Sequence, residues 1–158
     1  MKKIFILIVF FFTLALHVEA EKEIQATKHL ESIVLGSGCF WGEEKRYEAI
    51  PGVVEVVSGY ADGKGVLPTY REITKIKNKF NPNNHAEVVL VVFNTIVISV
   101  EDILKHYFEG HDPTQLNRQG NDIGTQYRSV ILTTNNQQNA LAKKLLDEFQ
   151  GLMNDHGY

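Results

Sequence analysis

The scarcest informative residue in this sequence is cysteine, since only Cys39 occurs among 158 residues. A single thiol excludes an internal disulfide, and it excludes zinc sites that are built on paired cysteines. Free cysteine is among the most buried residue types, so Cys39 could be a small apolar core residue. It could equally be a reactive thiol, and its sequence neighbours must decide between the two.

Basic charge and long apolar runs are also lacking. The 16 lysines and arginines are outnumbered by 19 acidic residues, which leaves a net charge of −3 at pH 7. Without a basic stripe that could neutralise phosphates, neither nucleic acid nor anionic lipid is an expected partner. The apolar run from Ile4 to Leu16 is shorter than the roughly 20 residues that span a bilayer as a helix.

The first 20 residues have the three-part pattern of a secretory signal peptide. Lys2 and Lys3 precede the apolar run, and Val18-Glu19-Ala20 follows it with small residues at the positions that signal peptidase reads. We therefore predict a signal peptide at 1–20, with an uncleaved membrane anchor as the weaker alternative. The mature chain is expected to be exported, either periplasmic or secreted, and free of the membrane after cleavage.

The remaining sequence has the size of one domain with a single hydrophobic core. We expect a lead-in segment at 21–31 and one domain at 32–158. Hydrophobic periodicity predicts the order β-α-β-β-α-β-α, with strands at 32–35, 53–60, 85–93 and 128–133, and helices after Cys39, from Ser99 and at 137–153. This order is typical of an α+β fold in which helices pack on a mixed β-sheet around a split β-α-β, ferredoxin-like core.

Two details of this pattern bear on later results. Residues 70–76 are expected to form a short extended piece, and the asparagine-rich stretch 77–84 to form a surface loop. Strand 85–93 carries apolar residues on both of its faces. It is therefore predicted to be a central strand that is covered on both faces.

The position of Cys39 favours the reactive alternative. Gly36-Ser37-Gly38 ends the first strand, so Cys39 is predicted at or just before a helix N-terminus. There the helix dipole and the free backbone N–H groups stabilise a thiolate, which is the nucleophilic form. Phe40 and Trp41 follow directly and could form a small apolar lining for a methyl or thioether group, although either could also be ordinary core.

Four sequence blocks follow one another around Cys39 and downstream of it. They are Gly38-Cys39-Phe40-Trp41-Gly42; Gly59-Tyr60 with Pro68-Thr69-Tyr70; His85-Ala86-Glu87; and His111-Asp112-Pro113-Thr114-Gln115, which continues through Asn117-Arg118-Gln119-Gly120-Asn121-Asp122 to Gly124-Thr125-Gln126-Tyr127-Arg128-Ser129. Together they span most of residues 32 to 134. In content and order they resemble the methionine sulfoxide reductase A family.

This resemblance implies a role for several residues. Cys39 would attack the sulfoxide sulfur, and Glu87, on a buried strand, would hold a proton near neutral pH and deliver it to the oxygen. Tyr70 and Tyr127 would donate hydrogen bonds to that oxygen. The remaining implied substrate-binding residues are Phe40 and Trp41, around the S-methyl group, and Asp122, which would order the pocket or bind the substrate backbone.

The family resemblance also implies what the reaction needs from outside. The substrate would be the S epimer of methionine sulfoxide, free or in oxidised proteins. The product would be methionine, with Cys39 left as a sulfenic acid. No bound cofactor or metal is implied. Because no second cysteine is present, an external thiol reductant, such as a thioredoxin-like dithiol protein, would have to regenerate Cys39.

Three departures from the family pattern keep other interpretations open. First, the segment between Tyr70 and Glu87 is longer than usual, and Asn84 replaces the glycine that commonly precedes the His-Ala-Glu block. Second, the cysteines that members often use to resolve the sulfenic acid are missing. Third, the chain stops at Tyr158 where relatives commonly continue, so we expect a domain shortened at its C-terminus. The alternatives are a truncated inactive remnant, a non-catalytic module that binds oxidised or Met-rich proteins, and a cysteine hydrolase that pairs Cys39 with His85 or His111. The H-x-E spacing of His85 and Glu87 matches zinc deaminases, but the paired cysteines of those enzymes are absent.

Overall fold

A computed structural model of the chain describes residues 28–65 and 67–157. The predicted signal peptide and most of the predicted lead-in segment lie outside these described residues. The chain divides after Leu30 into two compact units, and the strands and helices described below belong to the second unit, except that Leu30 begins the first strand.

The described residues contain six strands and four α-helices. The strands are β1 (Leu30–Gly36), β2 (Val53–Ala61), β3 (Ala86–Asn94), β4 (Arg118–Gln119), β5 (Asp122–Ile123) and β6 (Val130–Leu132). The helices are α1 (Phe40–Glu48), α2 (Tyr70–Ile73), α3 (Val100–Gly110) and α4 (Asn136–Asp155), with 3-10 turns at Ile76–Asn78 and Thr125–Tyr127. None of the helices in the described part of the chain is long and apolar enough to cross a membrane.

The main sheet has the strand order β2-β3-β1-β6, and β4 pairs with β5 in a separate two-stranded ribbon. Helix α1 joins β1 to β2, yet β3 lies between these two strands. In the same way, α3 lies on the connection from β3 to β6, and β1 lies between these two strands in the sheet. Both β-α-β units are therefore split by a strand from the other unit, which confirms the predicted α+β class and the split β-α-β core.

The core lies between one face of the sheet and the helices. Val89, Val91 and Phe93 of β3 are fully buried in one cluster with side chains of α1, α3 and α4. Strand alternation places Glu87 on this same face, at the beginning of the strand. The prediction that β3 is central is confirmed, but the prediction of full cover on both faces is only partly right, because Leu90 and Val92 are half-buried.

Two capping interactions fix the ends of the longer helices. Ser99 and Asp102 form the predicted capping box at the start of α3, in which the Ser99 hydroxyl accepts from the Asp102 N–H at 3.1 Å. The Asn135 side chain caps α4 by accepting from the Gln138 N–H at 2.8 Å. The sequence predicted the first of these caps, whereas it located α4 by its amphipathic pattern alone.

The segment between β2 and β3 differs from its prediction. Residues 70–73 form a helical turn instead of an extended piece, because the Thr69 hydroxyl accepts from the Glu72 N–H at 3.2 Å and caps it. Asn84 is buried instead of lying in a surface loop. Its side-chain amide donates to the carbonyls of Ile73, at 3.1 Å, and Asn78, at 3.2 Å, and so ties the turns of this segment together.

Candidate active site

Cys39 is the N-cap residue of α1, as the sequence predicted. Its carbonyl accepts from the N–H groups of Gly42, at 3.2 Å, and Glu43, at 3.4 Å, while its side chain makes no capping hydrogen bond. The half-buried thiol is therefore left available at the positive end of a nine-residue helix.

The turn between β1 and Cys39 depends on the backbone conformation of Gly38. This residue has φ +114°, a conformation that side chains with a Cβ rarely adopt. A Cβ at position 38 would also lie 2.9 Å from the Cβ of Gln119. The Gln119 side chain is itself fixed, because its amide oxygen accepts from the Asp112 N–H at 3.3 Å and its amide nitrogen donates to the Asp112 carbonyl at 3.2 Å.

Gly38→Ala should therefore lower the free energy of unfolding. The backbone strain alone is worth on the order of 1–3 kcal/mol, and the contact with Gln119 adds to it. The matched control is Gly42→Ala, since Gly42 lies inside α1 and nothing would meet a Cβ there within 4 Å. That variant should gain roughly 0.5–1 kcal/mol. Urea unfolding of both variants checks this, and equal effects would contradict the assigned role of Gly38.

Glu87 meets the same helix end from β3. It is only 3% exposed, and its Oε2 accepts from the Phe40 N–H at 3.2 Å, one residue beyond Cys39. Burial raises the pKa of the Glu87 carboxyl, the Phe40 N–H opposes this, and the nearby Asp122 carboxylate raises the pKa further. The pKa of Glu87 is thus raised by the burial that the sequence predicted, while its role as a proton donor stays a prediction.

Two tyrosines are affected by the charge of this carboxyl. Burial raises the pKa of Tyr127, and the charges of Glu87, Asp122 and Cys39 add to the effect, so Tyr127 lies within electrostatic reach of all three. Burial also raises the pKa of Tyr60, with further contributions from Glu87 and Tyr70. Tyr60 stands directly opposite Glu87 in the β2–β3 register.

A groove of about 360 Å³ lies beside Tyr127, and its lining includes neither Cys39 nor Glu87. Tyr70, Asp122 and Tyr127 line it together, although they come from α2, β5 and the 3-10 turn at 125–127. Tyr70 is 64% exposed and is held at the start of α2 by the Thr69 cap. The structure therefore brings together all three of these sequence-predicted residues.

The two aromatic residues after Cys39 have different surroundings. Phe40 is half-buried, packs against the core and lies 5.4 Å from Tyr60 between ring centroids. Trp41 is 72% exposed and lies 6.2 Å from Phe40 between ring centroids. Phe40 thus packs against the core, whereas the Trp41 side chain, two residues after Cys39, is largely open to solvent.

The two histidines that could act as bases for a hydrolase differ in their surroundings. His111 places Nδ1 2.7 Å from the Tyr107 carbonyl and Nε2 2.9 Å from the Ser129 hydroxyl, so both of its ring nitrogens have partners. The His85 ring lies against Gly63, two residues after β2, and among the described residues neither of its buried ring nitrogens has a hydrogen-bond partner. Among residues 28–65 and 67–157, no cluster of three His, Cys, Asp or Glu side chains could hold a metal ion.

Comparison with known proteins identifies the family. The family model for peptide methionine sulfoxide reductase matches residues 31–155, which is most of the sequence. The chain belongs to this family. It is 48% identical over 129 residues to peptide methionine sulfoxide reductase MsrA of Xylella fastidiosa strain M12, covering 82% of this chain and 57% of the relative. It is 44% identical over 121 residues to MsrA of Saccharolobus solfataricus, covering 77% of this chain and 66% of the relative.

Solved structures agree with this assignment. Methionine sulfoxide reductase A of Corynebacterium diphtheriae superposes with a TM-score of 0.73 at 38% identity, covering 82% of this chain and 60% of that one. Reduced Mxr1 from Saccharomyces cerevisiae superposes with a TM-score of 0.69 at 30% identity, covering 78% of this chain and 70% of that one. The chain spans little more than half the length of its MsrA relatives from Xylella fastidiosa and Rhodospirillum centenum.

Two residues of the site were not singled out from the sequence, although both lie in family-like blocks. Tyr60 packs on Phe40 and faces Glu87 across the strand pair. Gln119 lies over Gly38 and fixes the 112–119 segment against the Cys39 turn. The alternation of β2 could have indicated Tyr60, but the role of Gln119 depends on a contact between residues 81 positions apart, which no local pattern reveals.

Proposed function

We propose that this chain reduces methionine S-sulfoxide to methionine, with Cys39 as the nucleophile. One observation carries the proposal: the N-cap thiol of α1 stands beside a buried carboxyl, Glu87, that accepts from the next N–H of the same helix. A sulfoxide reduction needs a nucleophilic sulfur and a proton donor close together. Family membership supports this chemistry over acyl transfer.

In the proposed first step, the Cys39 thiolate donates an electron pair to the sulfoxide sulfur while the Glu87 carboxyl protonates the sulfoxide oxygen. This attack forms a bond between the two sulfur atoms. The hydroxyl then moves from the substrate sulfur to the Cys39 sulfur, the S–O bond and the new S–S bond both break, and Cys39 is left as a sulfenic acid. Methionine leaves, and the proton originally lost by the thiol restores Glu87. The sulfoxide gains two electrons and the cysteine sulfur loses two, so the step is balanced.

The other residues of the site stabilise this step. The hydroxyls of Tyr70 and Tyr127 donate to the oxygen as it becomes more basic. The exposed Trp41 ring and the edge of Phe40 hold the S-methyl group. Asp122 binds the substrate backbone from the groove wall, and its charge also helps to keep Glu87 protonated.

An external thiol completes the proposed cycle. A first thiol condenses with the sulfenic acid, releases water and forms a mixed disulfide with Cys39. A second thiol of the same reductant then breaks that disulfide. One solved structure similar to this chain is Mxr1 in complex with Trx2, at 25% identity and a TM-score of 0.55, which supports a thioredoxin-like dithiol protein as the donor. No bound cofactor takes part.

The site of action is proposed from the N-terminal pattern. Residues 1–20 have the pattern of a signal peptide, so the enzyme would be periplasmic or secreted. In that compartment it would repair oxidised exported proteins or use free methionine sulfoxide. Fractionation of cells that express the full chain tests this. A mature form that begins at Glu21 in the exported fraction is expected, and a full-length chain retained in the cytoplasm would contradict it.

Incubation of the purified protein with methionine S-sulfoxide and a small dithiol tests the activity. Steady release of methionine is the expected result, and the R epimer serves as the negative control. Binding without methionine release would favour a non-catalytic module, and neither binding nor release would favour an inactive remnant. An ester substrate tests the hydrolase alternative, which alone predicts an acyl group on Cys39.

A further inference from the structure

One side chain, Arg128, joins three separate segments of the chain next to the site. Its Nη1 donates to the carbonyls of Asn84, at 3.1 Å, and Thr125, at 2.8 Å. Its Nη2 donates to the Asp62 carbonyl at 2.6 Å and to the Asp62 carboxylate at 2.8 Å. The side chain is only 16% exposed, so these bonds are largely shielded from water.

The three segments are those that carry the acid and the tyrosines. Asp62 follows the end of β2, two residues beyond Tyr60, and Asn84 precedes Glu87 by three residues. These two positions are also the ends of the connection between β2 and β3, which carries Tyr70. Thr125 begins the 3-10 turn that ends at Tyr127.

The chemistry of the contact requires arginine. A planar guanidinium offers five N–H donors in a fixed fork, whereas a lysine ammonium has one nitrogen on a flexible stem and cannot reach three segments at once. Asp62 has φ +57°, a left-handed conformation that aspartate tolerates. With this backbone, both its carbonyl and its carboxylate accept from the same Nη2.

We propose that Arg128 is a positioning residue for the reductase. Its guanidinium links the two ends of the β2–β3 connection to each other and binds the 125–127 turn to both of them. In this way Tyr127 is held beside Glu87. Further bonds support the turn, from the Thr125 N–H to the Lys79 carbonyl at 2.8 Å and from the Thr125 hydroxyl to the Asn78 carbonyl at 3.2 Å. Loss of Arg128 therefore shifts the tyrosine instead of releasing it.

This inference rests on the proposed reductase activity. Arg128→Lys is expected to lower kcat by about tenfold to a hundredfold, because a displacement near 1 Å can cost this much in rate. KM should change little, since Tyr127 bonds an oxygen whose basicity grows only towards the transition state. Arg118→Lys is the matched control, because Arg118 is exposed and its guanidinium donates to the Gly120 carbonyl two residues away. It should leave kcat unchanged.

The double variant Arg128→Lys with Tyr127→Phe separates positioning from general destabilisation. If Arg128 acts through the Tyr127 hydroxyl, the second change adds almost nothing to kcat once that hydroxyl is gone. Losses that multiply would overturn the proposal, as would an unchanged kcat in the single variant. If Arg128→Lys does not melt cooperatively, Asp62→Gly takes its place, with an expected loss of about threefold that the Tyr127→Phe background abolishes. No loss in Asp62→Gly would equally overturn it.

A spectroscopic readout does not depend on turnover. With 3-fluorotyrosine incorporated throughout, the fluorine resonance that disappears in Tyr127→Phe belongs to Tyr127. It should shift in Arg128→Lys and stay in place in Arg118→Lys. An inactive wild-type protein with this shift would refute the proposed function alone, whereas an active wild type without it would refute the role of Arg128.

Discussion

Cys39→Ser is expected to abolish methionine release altogether. A serine hydroxyl is a far weaker nucleophile than a thiolate towards sulfur, and this chain offers no other thiol that could substitute. Labelling with a thiol-specific maleimide should vanish in the same variant. The measurement is methionine formation from the S-sulfoxide with excess dithiol, followed to a detection limit about four orders of magnitude below the wild type.

Folding cannot account for such a loss. Serine is among the preferred N-cap residues, so its hydroxyl should accept an N–H of the first turn of α1, a bond that the Cys39 side chain does not make. The melting temperature of Cys39→Ser should therefore equal or exceed that of the wild type. Cys39→Ala, which lacks both a nucleophile and a capping side chain, should be as inactive as Cys39→Ser and less stable than that variant. Residual reductase activity in either variant would refute the central role of this thiol.

Glu87→Gln is expected to reduce kcat by roughly two to four orders of magnitude, the usual cost of removing a general acid. The glutamine oxygen can still accept from the Phe40 N–H, so the local geometry should persist, but the amide has no carboxylic proton to give. Glu101→Gln is the matched control, because Glu101 is paired with Lys105 near the start of α3. It should retain full activity.

The pH dependence follows from the raised pKa of Glu87. Since the reaction needs the protonated carboxyl, kcat/KM should fall as pH rises through that pKa, and this limb should disappear in Glu87→Gln. Asp122→Asn removes a charge that raises the pKa of Glu87, so it should move the limb to lower pH. A limb that stays in place in both variants would assign the proton to another group.

Stability should change in a related way. A carboxyl whose pKa is raised by folding contributes stability that is fully present below its unfolded pKa and is lost as pH rises through its folded pKa. Glu87→Gln should therefore not melt lower than the wild type at neutral or alkaline pH. An unaltered rate together with a lowered melting point would instead assign Glu87 a structural role.

The fold was predictable where one local rule decided each element. Gly38 before Cys39, the Ser99–Asp102 box and the alternation of β3 each indicated an element or its boundary that the structure contains. The split β-α-β arrangement then followed from the order of elements. The sequence also indicates the face on which Glu87 lies, because residues 87, 89 and 91 are two positions apart and so share one face of β3 with the core residues Val89 and Val91.

The errors come from one local cap that was missed and from interactions between distant segments. The Thr69 cap turned a predicted extended piece into a helix, and the buried Asn84 amide organised what looked like a surface loop. Arg128 links to Asp62 across 66 residues, and its partners are mainly backbone carbonyls, which no residue type identifies. The signal peptide at 1–20 and the catalytic roles of the site residues remain predictions.

A single-turnover experiment without any thiol tests the account most directly. The reduced protein is mixed with excess methionine S-sulfoxide, methionine is counted, and the stopped protein is treated with a dimedone-type probe and analysed by mass spectrometry. We expect about one methionine per chain and then arrest, with the probe on Cys39, because the sulfenic acid finds no second cysteine in this chain. Continued turnover without thiol, or an arrested protein whose Cys39 is not oxidised, would contradict the account.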